Sequence, residues 1–160
     1  MKREPKPKDV HERALGLLAV RARSRRELER RLIQAGFEAQ EVDVELARLQ
    51  QVGLVDDAAF ARQLAEHAFG AGGKGRRAVA SALAVKGVDR TVVTSLLQEL
   101  GGHEEERALE LARSRAARLA GVDPQKAFQR LSGLLMRRGY APELARSAAR
   151  TALAVDDGDD

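Results

Sequence analysis

The sequence predicts an all-α fold: three tandem three-helix repeats forming an elongated molecule with room to curve. Three observations carry this. First, a six-residue pattern, Leu-x-x-x-Gly-apolar, occurs at Leu32–Phe37, Leu83–Val88 and Leu135–Tyr140, its glycines 51 and then 52 residues apart. Second, 44% of the 160 residues are hydrophobic but only 3% are aromatic, and there is no Trp. A core built from Leu, Val and Ala suits helices that pack closely. Third, helix-start signals precede the apolar segments, and no segment alternates like a strand.

Each element has a local reason. In the first unit a helix is predicted from about Val10 to Ala22, with Asp9 and Glu12 spaced as a capping box. Ser24-Arg25-Arg26-Glu27 is a second capping box and opens the middle helix. Leu32 closes that helix on its buried face. Gly36 supplies the left-handed residue of the cap, and Phe37 folds back onto the last turn. A third helix follows, with Leu46 and Leu49 ten and thirteen residues past the glycine. The second unit repeats this with a helix from about Asp57 to Phe69, then the Leu83–Val88 turn, then Leu97 and Leu100. In the third, a helix from about Glu104 to Ala120 places Leu109, Ala112, Ala116 and Leu119 on one face. Asp123-Pro124 opens its middle helix, with Pro at the first helical position. Ala149 and Ala152 stand where the other units have Leu. The units are assigned to residues 10–54, 55–102 and 103–154. Residues 1–9 are expected to be a disordered charged segment and residues 155–160 a disordered acidic tail. Helices of 12 to 15 residues would be about 18 to 22 Å long, and three such units in a row give the elongation.

Net charge is +4, yet Asp156, Asp157, Asp159 and Asp160 offset it, so the body before them carries +8. Such a body favours polyanionic partners: DNA, RNA or an acidic protein surface. The absence of cysteine excludes disulfides and zinc–thiolate sites and fits a reducing cytosol. No stretch approaches the roughly 20 apolar residues of a membrane span, and residues 1–8 lack the apolar run of a signal peptide. A cytoplasmic monomer without membrane contact is the expectation.

Two basic clusters are the candidate binding residues. Around the first middle helix, Arg23, Arg26 and Arg30 fall within about 60° of one another at helical spacing. Leu28, Leu32 and Ala35 lie on the far side. In the second unit Lys74, Arg76 and Arg77 stand at a helix start, where free N–H groups and the helix dipole favour an anion. Arg107, Arg115 and Arg118 give the third unit a similar stripe. The preceding Gly70–Gly75 stretch matches G-x-G-x-x-G. A helix rather than a strand stands before it, so it reads as a flexible connection and not a dinucleotide site. His11, His67 and His103 show no metal-ligand spacing and read as surface residues. No catalytic residue, metal site or cofactor is assigned.

Leu-x-x-x-Gly followed by a helix also resembles a helix-turn-helix, which makes a direct DNA-binding regulator the alternative reading. The helix after Gly36 carries Glu38, Glu41, Asp43 and Glu45, an electrostatic misfit for a phosphate-lined groove. Arg146 and Arg150 make the third unit a less poor fit.

Ala14-Leu15, Arg23-Ser24-Arg25-Arg26-Glu27-Leu28, Gly36-Phe37, Gly53-Leu54-Val55-Asp56-Asp57 with Phe60-Ala61, Gly75-Arg76 and Leu83-x-x-x-Gly87-Val88 together resemble the RecX family of bacterial recombinase regulators. The resemblance is carried mainly by residues 10–100 and continues more weakly through the third unit. Extra glycines in the middle segment, and Val79 and Val88 in place of Ile, are the departures. The resemblance implies three three-helix repeats and a modulator of RecA. It implies binding along the RecA–DNA filament and inhibition of ATP hydrolysis and strand exchange. The basic body itself suggests non-specific contacts to single- or double-stranded DNA.

Overall fold

A computed structural model describes residues 9–154, so the expectations for residues 1–8 and 155–160 lie outside the described residues. Among these the chain is helical throughout: α1 (Val10–Val20), α2 (Arg25–Gln34), α3 (Ala39–Gln51), α4 (Asp57–Phe69), α5 (Arg76–Val85), α6 (Arg90–Leu100), α7 (Glu104–Ala116), α8 (Pro124–Arg137) and α9 (Pro142–Ala154). One 3-10 turn, Ala117–Leu119, extends α7. Substantial helix–helix packing falls within the triplets α1–α3, α4–α6 and α7–α9. Each triplet has its own core. Leu28, Leu32, Val42, Leu46 and Leu49 form the first. Ala61, Ala65, Val79, Leu83 and Leu96 form the second. The third uses Leu131, Leu135, Tyr140 and an alanine series on α7 and α9. Three separate cores are what a row of units requires, as against one globule.

The starts and stops follow the local signals. Asp9, Ser24 and Asp123 each accept a hydrogen bond from the N–H three residues on, at Glu12, Glu27 and Lys126. The three turns close alike. Phe37, Val88 and Tyr140 donate to the carbonyls of Leu32, Leu83 and Leu135 at 3.1–3.2 Å, across Gly36, Gly87 and Gly139 at φ of +97°, +74° and +98°. This is the Schellman arrangement the pattern predicts.

The joints between units could not be read from the sequence, and they repeat. At the first, Ser24 Oγ donates to the Lys86 carbonyl at 2.6 Å, and Asp57 accepts the Arg25 N–H at 2.8 Å. At the second, Gly75 N–H donates to the Arg138 carbonyl at 2.9 Å, and Glu104 accepts the Arg76 N–H at 2.9 Å. Two rules recur. The start of one middle helix abuts the Leu-x-x-x-Gly end of the next unit's middle helix. The acidic first residue of the next unit's first helix caps it. The N-terminal amides of α2 and α5 are thus satisfied by the neighbouring unit.

The Gly70–Gly75 stretch is joint material and not the flexible connection expected. A Cβ on Gly75 would stand 2.5 Å from the Gly139 oxygen and 2.8 Å from the Tyr140 nitrogen. The Gly72 and Gly73 carbonyls accept from Arg138 and from the Tyr140 hydroxyl at 3.1 and 3.0 Å. Glycine lets two backbones meet here. The third unit offers no such end. Its middle helix has 14 residues where α2 and α5 have 10, an extra turn at the start, and it opens on Pro124, which has no N–H to give.

Candidate interaction surface

The first joint gathers positive charge from two units. On α2, Arg30 and Arg31 are exposed, and with Gln34 they face Val85 and Lys86 of α5 across a groove of about 350 Å3. Arg26 lies beside this groove, its side-chain stem against Gly87, where any Cβ would collide with it. Glu27 on the same rim is neutralised. Burial alone would raise its carboxyl. The hydrogen bond from Arg21 and the charges of Lys86, Arg21 and Arg23 outweigh this and hold it below its ordinary value. The groove therefore presents net positive charge.

The predicted stripe is split by this geometry. Arg23 is 6% exposed; its Nε donates to the Leu17 carbonyl at 3.2 Å and its Nη1 to Glu27 at 3.0 Å. It holds α1 against the start of α2 and offers no surface. Arg26 and Arg30 stay exposed, and exposed Arg31 and half-buried Lys86, neither of them part of the predicted stripe, join them. One signal could have found Lys86. The residue before the turn glycine is Ala35, Lys86 or Arg138, and it is basic in the two copies whose turn is docked.

In the second cluster the side chains of Lys74, Arg76 and Arg77 are exposed. The N–H groups there are not free, in contrast to the expectation. Glu104 takes that of Arg76, and the Gly139 carbonyl takes that of Arg77 at 3.1 Å. Only the side chains remain to meet an anion. The third-unit stripe is also broken up: Arg107 pairs with Glu104 at 2.7 Å and stacks over the Phe69 ring at 4.6 Å. It serves the joint, which also buries Tyr140. Burial pushes that phenol above its ordinary value, against the opposing pull of Arg107.

One further residue, Glu45, differs from expectation. His11 is partly exposed, and its Nδ1 is paired with the buried carboxylate of Glu45. That places Glu45 inside, so only Glu38 at the N-cap and Glu41 and Asp43 on α3 remain as exposed acids there. Among the described residues no cluster of three or more His, Cys, Asp or Glu could hold a metal ion, and no helix is long and apolar enough to cross a membrane.

Three helical units clasped end to end, with cations collected at their joints, define a helical-repeat protein with a basic joint surface. Family profiles described as the first, second and third three-helix domains of RecX match residues 11–49, 56–97 and 103–148. The chain belongs to the RecX family. It is 41% identical over 144 residues to "Regulatory protein RecX" of Mycobacterium avium (strain 104), covering 89% of this chain and 83% of that one. It is 34% identical over 164 residues to the Streptomyces coelicolor protein of the same name, covering 99% and 86%. Its fold matches the crystal structure of RecX from Lactobacillus salivarius with a TM-score of 0.76 at 18% identity, covering 89% of this chain and 94% of that one.

Proposed function

We propose that the protein regulates the RecA recombinase: it binds the RecA–DNA filament and slows ATP hydrolysis and strand exchange. Membership of a family of regulatory proteins supports the class of activity. The observation that carries the contact assignment is the first joint, where Arg26, Arg30 and Arg31 of one unit meet Lys86 of the next. A filament presents phosphates and acidic protein surface to such a face. Lys74, Arg76 and Arg77, exposed at the second joint, add further positive charge. Arg23 is left out, because it is buried against the Leu17 carbonyl and Glu27.

The test is the DNA-dependent ATPase of RecA titrated with substoichiometric protein. Inhibition is the expected result; a flat titration rejects the reading. Reversing Arg30, Arg31 and Lys86 to Glu should weaken inhibition roughly tenfold or more, at about 0.5–1 kcal/mol for each screened ion pair removed. Equal inhibition by that variant would reject the contact assignment alone. Salt-dependent, sequence-blind binding to bare DNA agrees with the proposal, whereas tight sequence-selective binding without RecA would favour a transcription regulator.

A further inference from the structure

The first two units each cover the start of their middle helix with the unit that follows, and in the second the cover extends over the loop before it and the end of the first helix. In unit one this place receives Asp57 and the Lys86-Gly87 turn. In unit two it receives Glu104, Arg107 and the Gly139 turn. Among the described residues, the corresponding place in unit three is open. It is a groove of about 760 Å3 whose walls include Leu119, Val122, Pro124, Phe128 and Leu153. Arg150 stands over the Phe128 ring, 5.4 Å from its centre.

The chemistry of this place differs as well. The filled copies present N–H and hydroxyl donors, at Ser24, Arg25, Gly75, Arg76 and Arg77, that read a backbone turn and a helix-leading carboxylate. Here Pro124 has no N–H, and Asp123 already caps Lys126 within its own helix. A fourth unit of the same kind would miss the leading N–H that Arg25 and Arg76 give at the filled places. Half-buried Leu119, Val122, Phe128 and Leu153 stand in their place, beside one guanidinium. The volume lies within the roughly 300–1,000 Å3 of pockets that take several side chains of a ligand.

We propose that this groove is a docking socket for an apolar segment of a partner protein that carries a carboxylate beside its aliphatic side chains. The aliphatic groups enter between Leu119, Phe128 and Leu153, and the carboxylate meets Arg150. The proposal rests on the RecA reading above for the identity of the partner tested. It adds a second, salt-resistant anchor at the far end of the row from the basic joint.

The experiment uses the full chain and RecA filaments on single-stranded DNA, at about 0.5 M salt, where charges are screened beyond about 4 Å. Ala120, exposed on the rim, is replaced by Trp to fill the groove, and in a second variant Arg150→Gln removes the cation. Thermal melts of both confirm folding. The chain has no cysteine, so Gln125→Cys on the wall takes a single environment-sensitive fluorophore. The expected result is roughly tenfold weaker filament binding by Ala120→Trp, a smaller loss with Arg150→Gln, and a blue-shifted, brighter label on filament binding. Wild-type affinity in Ala120→Trp with an unchanged label overturns the socket and leaves the RecA reading standing. Failure of the wild-type chain to bind filaments at any salt overturns both. A label that responds without filament gives the groove to this chain, and overturns the proposal. Response to removal of residues 155–160 would assign it to the tail, and response to rising protein concentration to a second copy.

Discussion

Gly75→Ala is the sharpest test of the joints. Gly75 has φ −87° and ψ 169°, an extended conformation that alanine adopts freely, so the substitution carries no local backbone strain. Its cost is the added Cβ, which would stand 2.5 Å from the Gly139 oxygen, 2.6 Å from its carbonyl carbon and 2.8 Å from the Tyr140 nitrogen. All three are backbone atoms held by the Schellman turn, so none can rotate away. Relief requires the two units to separate. That lengthens the bonds from Gly75 and Arg77 to the Arg138 and Gly139 carbonyls. Overpacking of this kind costs about 1–3 kcal/mol, and each broken hydrogen bond about 0.5–1.5 kcal/mol. The sum, about 2–6 kcal/mol, falls on the joint and not on either core. Circular dichroism in urea should therefore show a lowered midpoint or a split transition, and hydrogen exchange at the Arg77 amide should accelerate while Leu83 and Leu135 stay protected. An unfolding curve and Arg77 exchange indistinguishable from wild type would refute the joint as described.

Other perturbations separate the remaining contributions. Gly16→Ala should stabilise the protein by about 0.5–1 kcal/mol in a thermal melt, because Gly16 lies inside α1 and an added Cβ meets nothing within 4 Å. Asp57→Ala should lower stability in a urea titration by about 0.5–2 kcal/mol through loss of the cap on Arg25, with Asn retaining most of it. Glu27 titrates below its ordinary 4.5 in the folded chain, so its contribution is fully present above that pH and is lost as pH falls through the folded value. Glu27→Gln should flatten that acid-side slope in pH-dependent melts. His11→Ala should destabilise by about 1–3 kcal/mol by leaving the Glu45 carboxylate buried, and Glu45→Gln in the same background should recover part of it in a denaturant titration.

The sequence carries what is local. Leu32, Gly36 and Phe37 fix a turn within six residues, and three copies of it make the repeat legible without any knowledge of packing. The caps at Asp9, Ser24 and Asp123 are legible for the same reason. The joints are not, because their partners are remote: Ser24 and Lys86 are 62 residues apart, Gly73 and Tyr140 67. Nothing in helical periodicity links them. The candidate surface suffered from that gap. A helical wheel puts Arg23 with Arg26 and Arg30, but the wheel cannot know that the chain enters α2 with Arg23 folded against the Leu17 carbonyl. Nor can it see Lys86 arriving from the next unit. Aligned turns would have helped, since a basic residue precedes the glycine in the copies that dock.

The longer α8 has a consequence for how such a chain can grow. A unit that is to stand inside a row must both give a turn to the unit before it and offer a bare helix start to the unit after it. The middle unit, α4–α6, does both, through Gly87 on one side and Gly75 on the other. The third unit gives a turn but ends in an extra helical turn led by Pro124. Gene duplication, or deliberate engineering, could thus lengthen the protein by copying the middle unit, with every new joint already matched. Copying the last unit would yield a chain with a break in it.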